Sequence, residues 1–295
     1  MKNEQPVILV TGSNGQLGRE LQVLEESHPQ YRFIFTDRST LPVDDTAAIQ
    51  NFFANNRVQF CINCAAYTAV DKAETNAGQA FAINAKAPGD LAAACLQQGA
   101  AFFHISTDYV FDGTASRPYT ETDPTCPIGV YGRSKQQGEE AVLANHPRAL
   151  IIRTSWVYSC FGHNFVKTML RLMKEKESIN VVNDQLGCPT YAADLAQALL
   201  TIIGQWNPQA LPANRIFNYC NSGIISWYDF ADSIRELTGS TCIVSPIPGS
   251  LYPTPAKRPA WSALDTKKIR DTFHISIPGW KESLQRCLQL LQTHQ

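Results

Sequence analysis

The 295-residue chain has almost no surplus charge: 25 Lys and Arg stand against 26 Asp and Glu, a formal net charge of −1. Without a basic excess there is no electrostatic footprint for nucleic acid or for an anionic membrane surface. There is also no apolar run long enough to span a bilayer, so no membrane partner is expected. Residues 1–6 lead directly into an apolar strand and leave no room for the charged and apolar regions of a secretory leader. Internal repeats, low-complexity tracts and heptads are missing as well. The nine cysteines are odd in number and scattered from Cys61 to Cys287, which does not make a disulfide framework. A cytoplasmic, reduced setting is the expectation. The one C-x-x-C, Cys61 and Cys64, lies in a strand-like apolar stretch where the odd spacing sends the two thiols to opposite faces. No second pair completes a zinc site, so both are read as core cysteines and no metal is expected.

What is present is an apolar fraction of 44% against 17% charged residues, which suits a soluble globular protein. Residues 7–11, VILVT, form a short continuous apolar run, as in a parallel strand covered on both faces. It feeds Gly12-Ser13-Asn14-Gly15-Gln16-Leu17-Gly18 and then an amphipathic helix over about 19–26. Glycines spaced G-x-x-G-x-x-G between a strand and a helix permit the tight turn, the approach of backbone to a pyrophosphate and close helix–strand packing. A dinucleotide cofactor is therefore expected here, with a ligand-free glycine turn as the bland alternative. A second strand, 31–36, ends at Asp37 and Arg38. The acid favours a ribose 2′-hydroxyl and NADH, whereas the guanidinium favours a 2′-phosphate and NADPH. The choice stays open at this point. Residues 42–46 read as a loop and helix cap, with Asp44 or Asp45 near the adenine or simply capping.

A third strand, 59–66, ends in the small residues Ala65 and Ala66 before Tyr67, where backbone can approach a cofactor closely. A long helix over 76–98 carries Asn84, and a fourth strand, 101–107, stops at Ser106, Thr107 and Asp108. His104, inside that strand, reads as a packed side chain. Pro127 can start the next helix, which runs to about 145 and carries Tyr131 and Lys135 on one face at i and i+4. A phenol beside a fixed ammonium can exchange a proton with an alcohol oxygen, its pKa drawn down from about 10. The strand over 149–158 follows, with Trp156 near its carboxyl end. Alternating strands and helices indicate an α/β fold: a doubly wound parallel sheet with helices on both faces. Beyond about 162 the alternation loosens. Helices fit 164–176, 192–204, 227–238, 264–271 and 280–292; short strands fit 180–183, 216–219 and 242–244. Residues 1–160, with later returning segments, are expected to form the cofactor domain, and 161–295 mainly a smaller substrate lobe.

The glycine turn, Ser106-Thr107 and Tyr131-x-x-x-Lys135 together resemble the extended short-chain dehydrogenase/reductase superfamily over the whole chain. Five ordered blocks, 11–18, 65–74, 106–111, 131–135 and 153–158, resemble more closely the dTDP-4-dehydrorhamnose reductase family, as do Asp184-Gln185, Gly187, Pro189-Thr190 and Arg258-Pro259. That resemblance implies a Rossmann-like sheet, NADPH or NADH as cofactor, and reduction of the C4 ketone of dTDP-4-dehydro-L-rhamnose, the last step toward dTDP-L-rhamnose. Carried over by position, Tyr131 protonates the C4 oxygen, Lys135 holds the nicotinamide ribose and lowers the Tyr131 pKa, and Thr107 orients the carbonyl. Thr107, Asp108 and Trp156 touch the deoxysugar, and Arg258 is a candidate for the diphosphate. Gly12, Asn14, Gly15, Gln16, Leu17, Gly18, Asp37, Arg38, Asp44, Ala65, Ala66 and Tyr67 surround the cofactor.

Dehydratases of the superfamily carry Asp-Glu after the catalytic Thr; here Tyr109 follows Asp108, which disfavours dehydration. A 4-epimerase or another 4-ketoreductase needs no such pair and remains an alternative. So does a binding subunit resembling the regulatory β subunit of methionine adenosyltransferase, against which the intact Thr107, Tyr131 and Lys135 argue. Some family members dimerise around magnesium held by C-terminal glutamates. Glu282 has no second acid near it, which argues against a magnesium-bridged dimer and leaves room only for a weak peripheral site. A monomer or homodimer is expected.

Overall fold

The computed structural model describes residues 5–293. Six parallel strands form the central sheet: β1 (Val7–Thr11), β2 (Arg32–Thr36), β3 (Phe60–Asn63), β4 (Ala101–Thr107), β5 (Leu150–Thr154) and β6 (Ile216–Asn218). Their spatial order is β6-β5-β4-β3-β1-β2. The chain leaves β1 on one side toward β2 and returns on the other to β3, so the winding direction reverses beside β1. A crevice opens outside the carboxyl ends of the strands at such a reversal.

Strand alternation divides the sheet side chains between two cores. Ile8, Val10, Ile62, Phe103 and Ile152 face helices α1 (Gln16–Leu24) and α5 (Ala192–Gly204), where Leu21, Leu199, Ile202 and Ile203 complete the packing. Leu9, Cys61, Phe102 and Ile151 face the other way, against α2 (Thr46–Asn55), α3 (Ala87–Gln98) and α4 (Val130–Asn145) through Phe53, Leu91, Cys95 and Val142. Cys61 and Cys64 do fall on opposite faces, the first in the second core and the second against the first.

The later half contributes to both regions. β6 pairs with β5 in the main sheet, and α5 packs on α1. A separate apolar cluster gathers Tyr158, Val166, Met169, Phe230, Ile234 and Leu284, with parallel strands Ser178–Val182 and Ile243–Ile247 alongside.

Of the boundaries that differ from the sequence reading, four have structural causes that bear on the site. The expected single helix over 76–98 is broken: Ala77–Phe81 is α-helical, Ala82–Lys86 forms a wider π-helical turn, and α3 follows. α4 begins at Val130 rather than Pro127, with Gly129 extended and the Glu74 carboxylate accepting from the Val130 N–H at 2.8 Å. The strand at 149–158 stops at Thr154, because Trp156 takes a left-handed φ of 48°; Val157–Tyr158 resumes in a different pairing, with Thr190–Tyr191. The helix expected over 264–271 is Lys267–Phe273, since Leu264 bridges to Tyr119 instead.

Candidate active site

A cleft of about 1120 Å³ lies at the carboxyl ends of β1, β3, β4 and β5. At one end is the glycine turn. Gly12 has φ of 65°, and a Cβ on it would sit 2.6 Å from the Ala65 nitrogen. A Cβ on Gly18 would sit 2.5 Å from Ser13 Cα. Both positions therefore exclude any side chain, one for the β1–β3 approach and one for helix–turn packing. α1 starts at Gln16 with no side-chain cap, so its first N–H groups are open to an anion. Gln16 donates to the Val157 carbonyl at 3.3 Å and accepts from Asn164 at 2.9 Å, tying the turn to the segment across the cleft. These residues fit the pyrophosphate of a dinucleotide.

Asn14, Asp37, Arg38 and Asp44 line the same end. The Asp37 carboxylate is engaged at both oxygens. One oxygen accepts from the Ser39 hydroxyl (2.7 Å), the Ser39 N–H (2.9 Å) and the Thr40 N–H (3.1 Å), the other from Asn14 Nδ2 (2.7 Å). Those bonds, the Ser39 hydroxyl foremost, hold its pKa down to about 2. Arg38 makes no side-chain hydrogen bond or ion pair among the described residues and is exposed along the cleft. Asp45, not Asp44, caps α2, accepting from the Ala47 and Ala48 N–H groups at 2.9 and 3.1 Å. Ala65, Ala66 and Tyr67 form the middle of the wall.

Thr107, Tyr131 and Lys135 meet at the centre of the cleft. α4 comes close because Gly132 and Gly138 have no side chains: a Cβ would fall 2.2 Å from the Tyr109 carbonyl oxygen and 2.0 Å from that of Asn84, respectively. Tyr109 packs edge-on to Tyr131, with ring centroids 5.4 Å apart. Burial pushes the Tyr131 phenol above its ordinary range, opposed by the nearby Thr107 hydroxyl. This is opposite to the expected lowering by Lys135. The physical reason is that the Lys135 amino group is turned to the Ile105 carbonyl, 2.6 Å away, while packing against Tyr109 and the cleft wall disfavours the phenolate. Burial lowers Lys135 itself to about 8, with Glu139 and Cys64 acting against that shift.

Asp108 follows Thr107 and is 2% exposed. Its Oδ1 accepts from the Thr107 hydroxyl at 2.9 Å, while Oδ2 is buried with no partner. Burial raises the carboxyl to about 7. Trp156 closes the far end. Its indole is stacked on Trp227 with centroids 3.5 Å apart and planes 8° off parallel, and a Cβ on Gly187 would lie 2.7 Å from its Cε2. Arg258 is not among the cleft-lining residues. It pairs with Asp71 at 2.8 Å beside Tyr109, and its NH1 is buried without a partner.

Three residues support the site: Asn84, named from the sequence without a role, and Trp227 and Glu139, which the sequence reading did not assign. Asn84, 0% exposed in the π-helical turn, accepts from the Tyr67 N–H (2.8 Å), donates to the Tyr67 carbonyl (3.0 Å) and donates to Ser134 Oγ (3.0 Å). It thereby fixes the Ala65–Tyr67 wall to the catalytic helix. Its signal in the sequence is an amide inside an otherwise good helix, a residue that tends to bond backbone. Trp227, under Trp156, gives no local signal. Glu139 is one turn beyond Lys135 and forms a buried two-point pair with Arg153 (2.9 and 2.7 Å), also accepting from Ser106 at 2.5 Å. Among the described residues no cluster of three acidic, His or Cys side chains could hold a metal ion.

A doubly wound sheet, a glycine turn shaped for a dinucleotide and a Thr–Tyr–Lys centre define a nicotinamide-dependent reductase of the short-chain dehydrogenase/reductase class. The family model described as RmlD substrate binding domain matches residues 6–293. A dTDP-4-dehydrorhamnose reductase of Sinorhizobium fredii is 41% identical over 289 residues, covering 96% of this chain and 97% of that one. The solved structure of a dTDP-4-dehydrorhamnose reductase from Clostridium acetobutylicum superposes with a TM-score of 0.91 at 42% identity, covering 97% of this chain and 99% of that one. A Bacillus anthracis dTDP-4-dehydrorhamnose reductase, solved in complex with NADP, gives a TM-score of 0.91 at 36% identity and covers 97% and 100%. This chain belongs to the dTDP-4-dehydrorhamnose reductase family.

Proposed function

We propose that the protein reduces the C4 ketone of dTDP-4-dehydro-L-rhamnose to the alcohol of dTDP-L-rhamnose, with NADPH as hydride donor. The observation that carries this reading is the meeting of Thr107, Tyr131 and Lys135 in one cleft with the glycine turn. The nicotinamide, when bound, supplies the hydride to C4. The chain supplies the rest. Tyr131, kept as a phenol by burial, is in the right protonation state to give its proton to the C4 oxygen. Thr107 positions that oxygen, and Lys135 supplies a donor or positive charge at the ribose side of the site. The unpartnered, buried Oδ2 of Asp108 faces a sugar hydroxyl in this reading, and the Trp156 edge bounds the deoxysugar. NADPH is preferred over NADH because both Asp37 oxygens already accept hydrogen bonds from the protein, whereas Arg38, without a side-chain partner among the described residues, is available to a 2′-phosphate.

In the same reading residues 1–160, joined by α5 and β6, form the cofactor domain, and the rest of 161–295 is the sugar-nucleotide lobe of a cytoplasmic enzyme. Among the described residues no helix is long and apolar enough to cross a membrane. The test is NADPH oxidation with dTDP-4-dehydro-L-rhamnose, with the product identified by NMR. Rhamnose-configured product is expected. A talose-configured product would reassign the substrate pose, and no turnover with intact NADPH binding would favour a binding subunit.

A further inference from the structure

A chain of buried polar groups runs beneath the cleft from β1 to Lys135. Thr11 Oγ1 donates to Asn63 Oδ1 at 2.6 Å, Asn63 Nδ2 lies 3.1 Å from His104 Nδ1, and His104 Nε2 lies 3.3 Å from Lys135 Nζ. Lys135 Nζ then donates to the Ile105 carbonyl. All four side chains are at most 2% exposed. Nothing in the chemistry above uses Asn63 or His104.

The direction of every bond in this chain follows from one backbone group. The Ala65 N–H donates to Asn63 Oδ1 at 3.2 Å, so the amide cannot turn over without setting N–H against N–H. Asn63 Nδ2 is therefore the atom that faces His104, and it can only donate. His104 Nδ1 must carry a lone pair. Burial keeps this imidazole neutral. Its single proton is then on Nε2, directed at Lys135 Nζ. An ammonium has no lone pair to accept that bond, but an uncharged amine has one.

We propose that His104 is a positioning residue whose locked tautomer favours the uncharged amine of Lys135, so that this lysine exchanges its proton within the working pH range rather than standing as a permanent cation. The inference rests on the role given to Lys135 above. The titratable and charged groups facing the lysine are His104 from β4, the Cys64 thiol after β3, and Glu139 on α4, which is itself paired to Arg153 of β5. Of these, only His104 is within hydrogen-bonding distance of Nζ. The lock starts where Ala65 touches Gly12, so the geometry of the glycine turn is coupled to the state of the lysine.

The direct test is ¹⁵N NMR of the cofactor-free native protein at neutral pH. The expected result is a bare Nδ1 and a protonated Nε2 for His104; the opposite tautomer or an imidazolium overturns the proposal. Asn63→Asp provides the second arm. Its carboxylate accepts from Nδ1–H, freeing the Nε2 lone pair for an ammonium. The tautomer should invert, and the Lys135 titration midpoint, followed by ¹³Cε shift and by the alkaline limb of kcat, should rise by about one pH unit, the equivalent of one hydrogen bond. An unchanged tautomer or midpoint in a folded Asn63→Asp protein would also overturn it. If that variant does not fold, the native tautomer decides alone. The NMR arms need no turnover, so their failure is distinct from failure of the activity assay.

Discussion

Asp108 has a raised pKa with no acid beside it to blame: burial is the leading cause, and the hydrogen bond from the Thr107 hydroxyl only partly offsets it. The folded-state value of about 7 lies above the ordinary 3.8. Between these values the folded protein binds the proton more tightly than the unfolded chain, so stability from this group is complete below about pH 4 and is lost as pH rises through about 7. Asp108→Asn removes that dependence. Relative to the parent, the variant should gain on the order of 3 kcal/mol between pH 4 and pH 8, read from denaturant midpoints at the two pH values. A constant difference across pH would mean that the carboxyl ionises normally. Tyr131→Phe acts on the reaction instead. It removes the transferable proton and little packing, so turnover should fall by about 10²–10⁴-fold while NADPH affinity is kept. Steady-state rates with a cofactor titration separate the two. At the other end of the cleft, Arg38→Ala should shift the NADPH-to-NADH affinity ratio toward NADH, whereas Asp37→Ala should mainly loosen the 37–40 turn that its carboxylate holds.

The helix between β3 and β4 carries a feature that periodicity cannot express. Its apolar spacing reads as one helix over 76–98, but the extra residue in the Ala82–Lys86 turn rotates Asn84 inward to both backbone groups of Tyr67. Asn84→Ala strands those groups and Ser134. A destabilisation of about 1–3 kcal/mol is expected, with a larger proportional loss of kcat than of cofactor affinity. Chemical denaturation and single-turnover rates check both. Locally encoded features were legible: the apolar strand β1, the glycine turn, the Thr107 strand end and the i, i+4 pair Tyr131 and Lys135 each carry their chemistry within a few residues. What depends on distant partners was not. Trp156 reads as the end of a strand, yet its φ is left-handed and its indole stacks on Trp227, 71 positions away. Helix spacing likewise gives the proximity of Tyr131 to Lys135 but not the burial that pushes the phenol up.

Among the polar contacts that join the two halves of the molecule, one lies at the cleft margin. Asp71, after β3, accepts from the Ala256 N–H at 3.1 Å and from Arg258 at 2.8 Å, joining the cofactor-side wall to the late loop. The pair is partly exposed, with side chains 40% and 23% accessible, so its contribution to stability is about 0–1 kcal/mol. Arg258 nevertheless keeps a buried NH1 without a hydrogen-bond partner. A diphosphate arriving at this margin would satisfy it by a small turn of the guanidinium away from Asp71. Arg258→Met should then raise KM for the dTDP-sugar by about tenfold or more, the scale of one charge-assisted hydrogen bond, while NADPH affinity and the melting temperature barely change. Asp71→Asn gives the opposite sign for the same reason: it frees the guanidinium, and KM should fall or hold. If both variants raise KM and lower the melting temperature together, Arg258 serves the closure of the two halves and not the diphosphate.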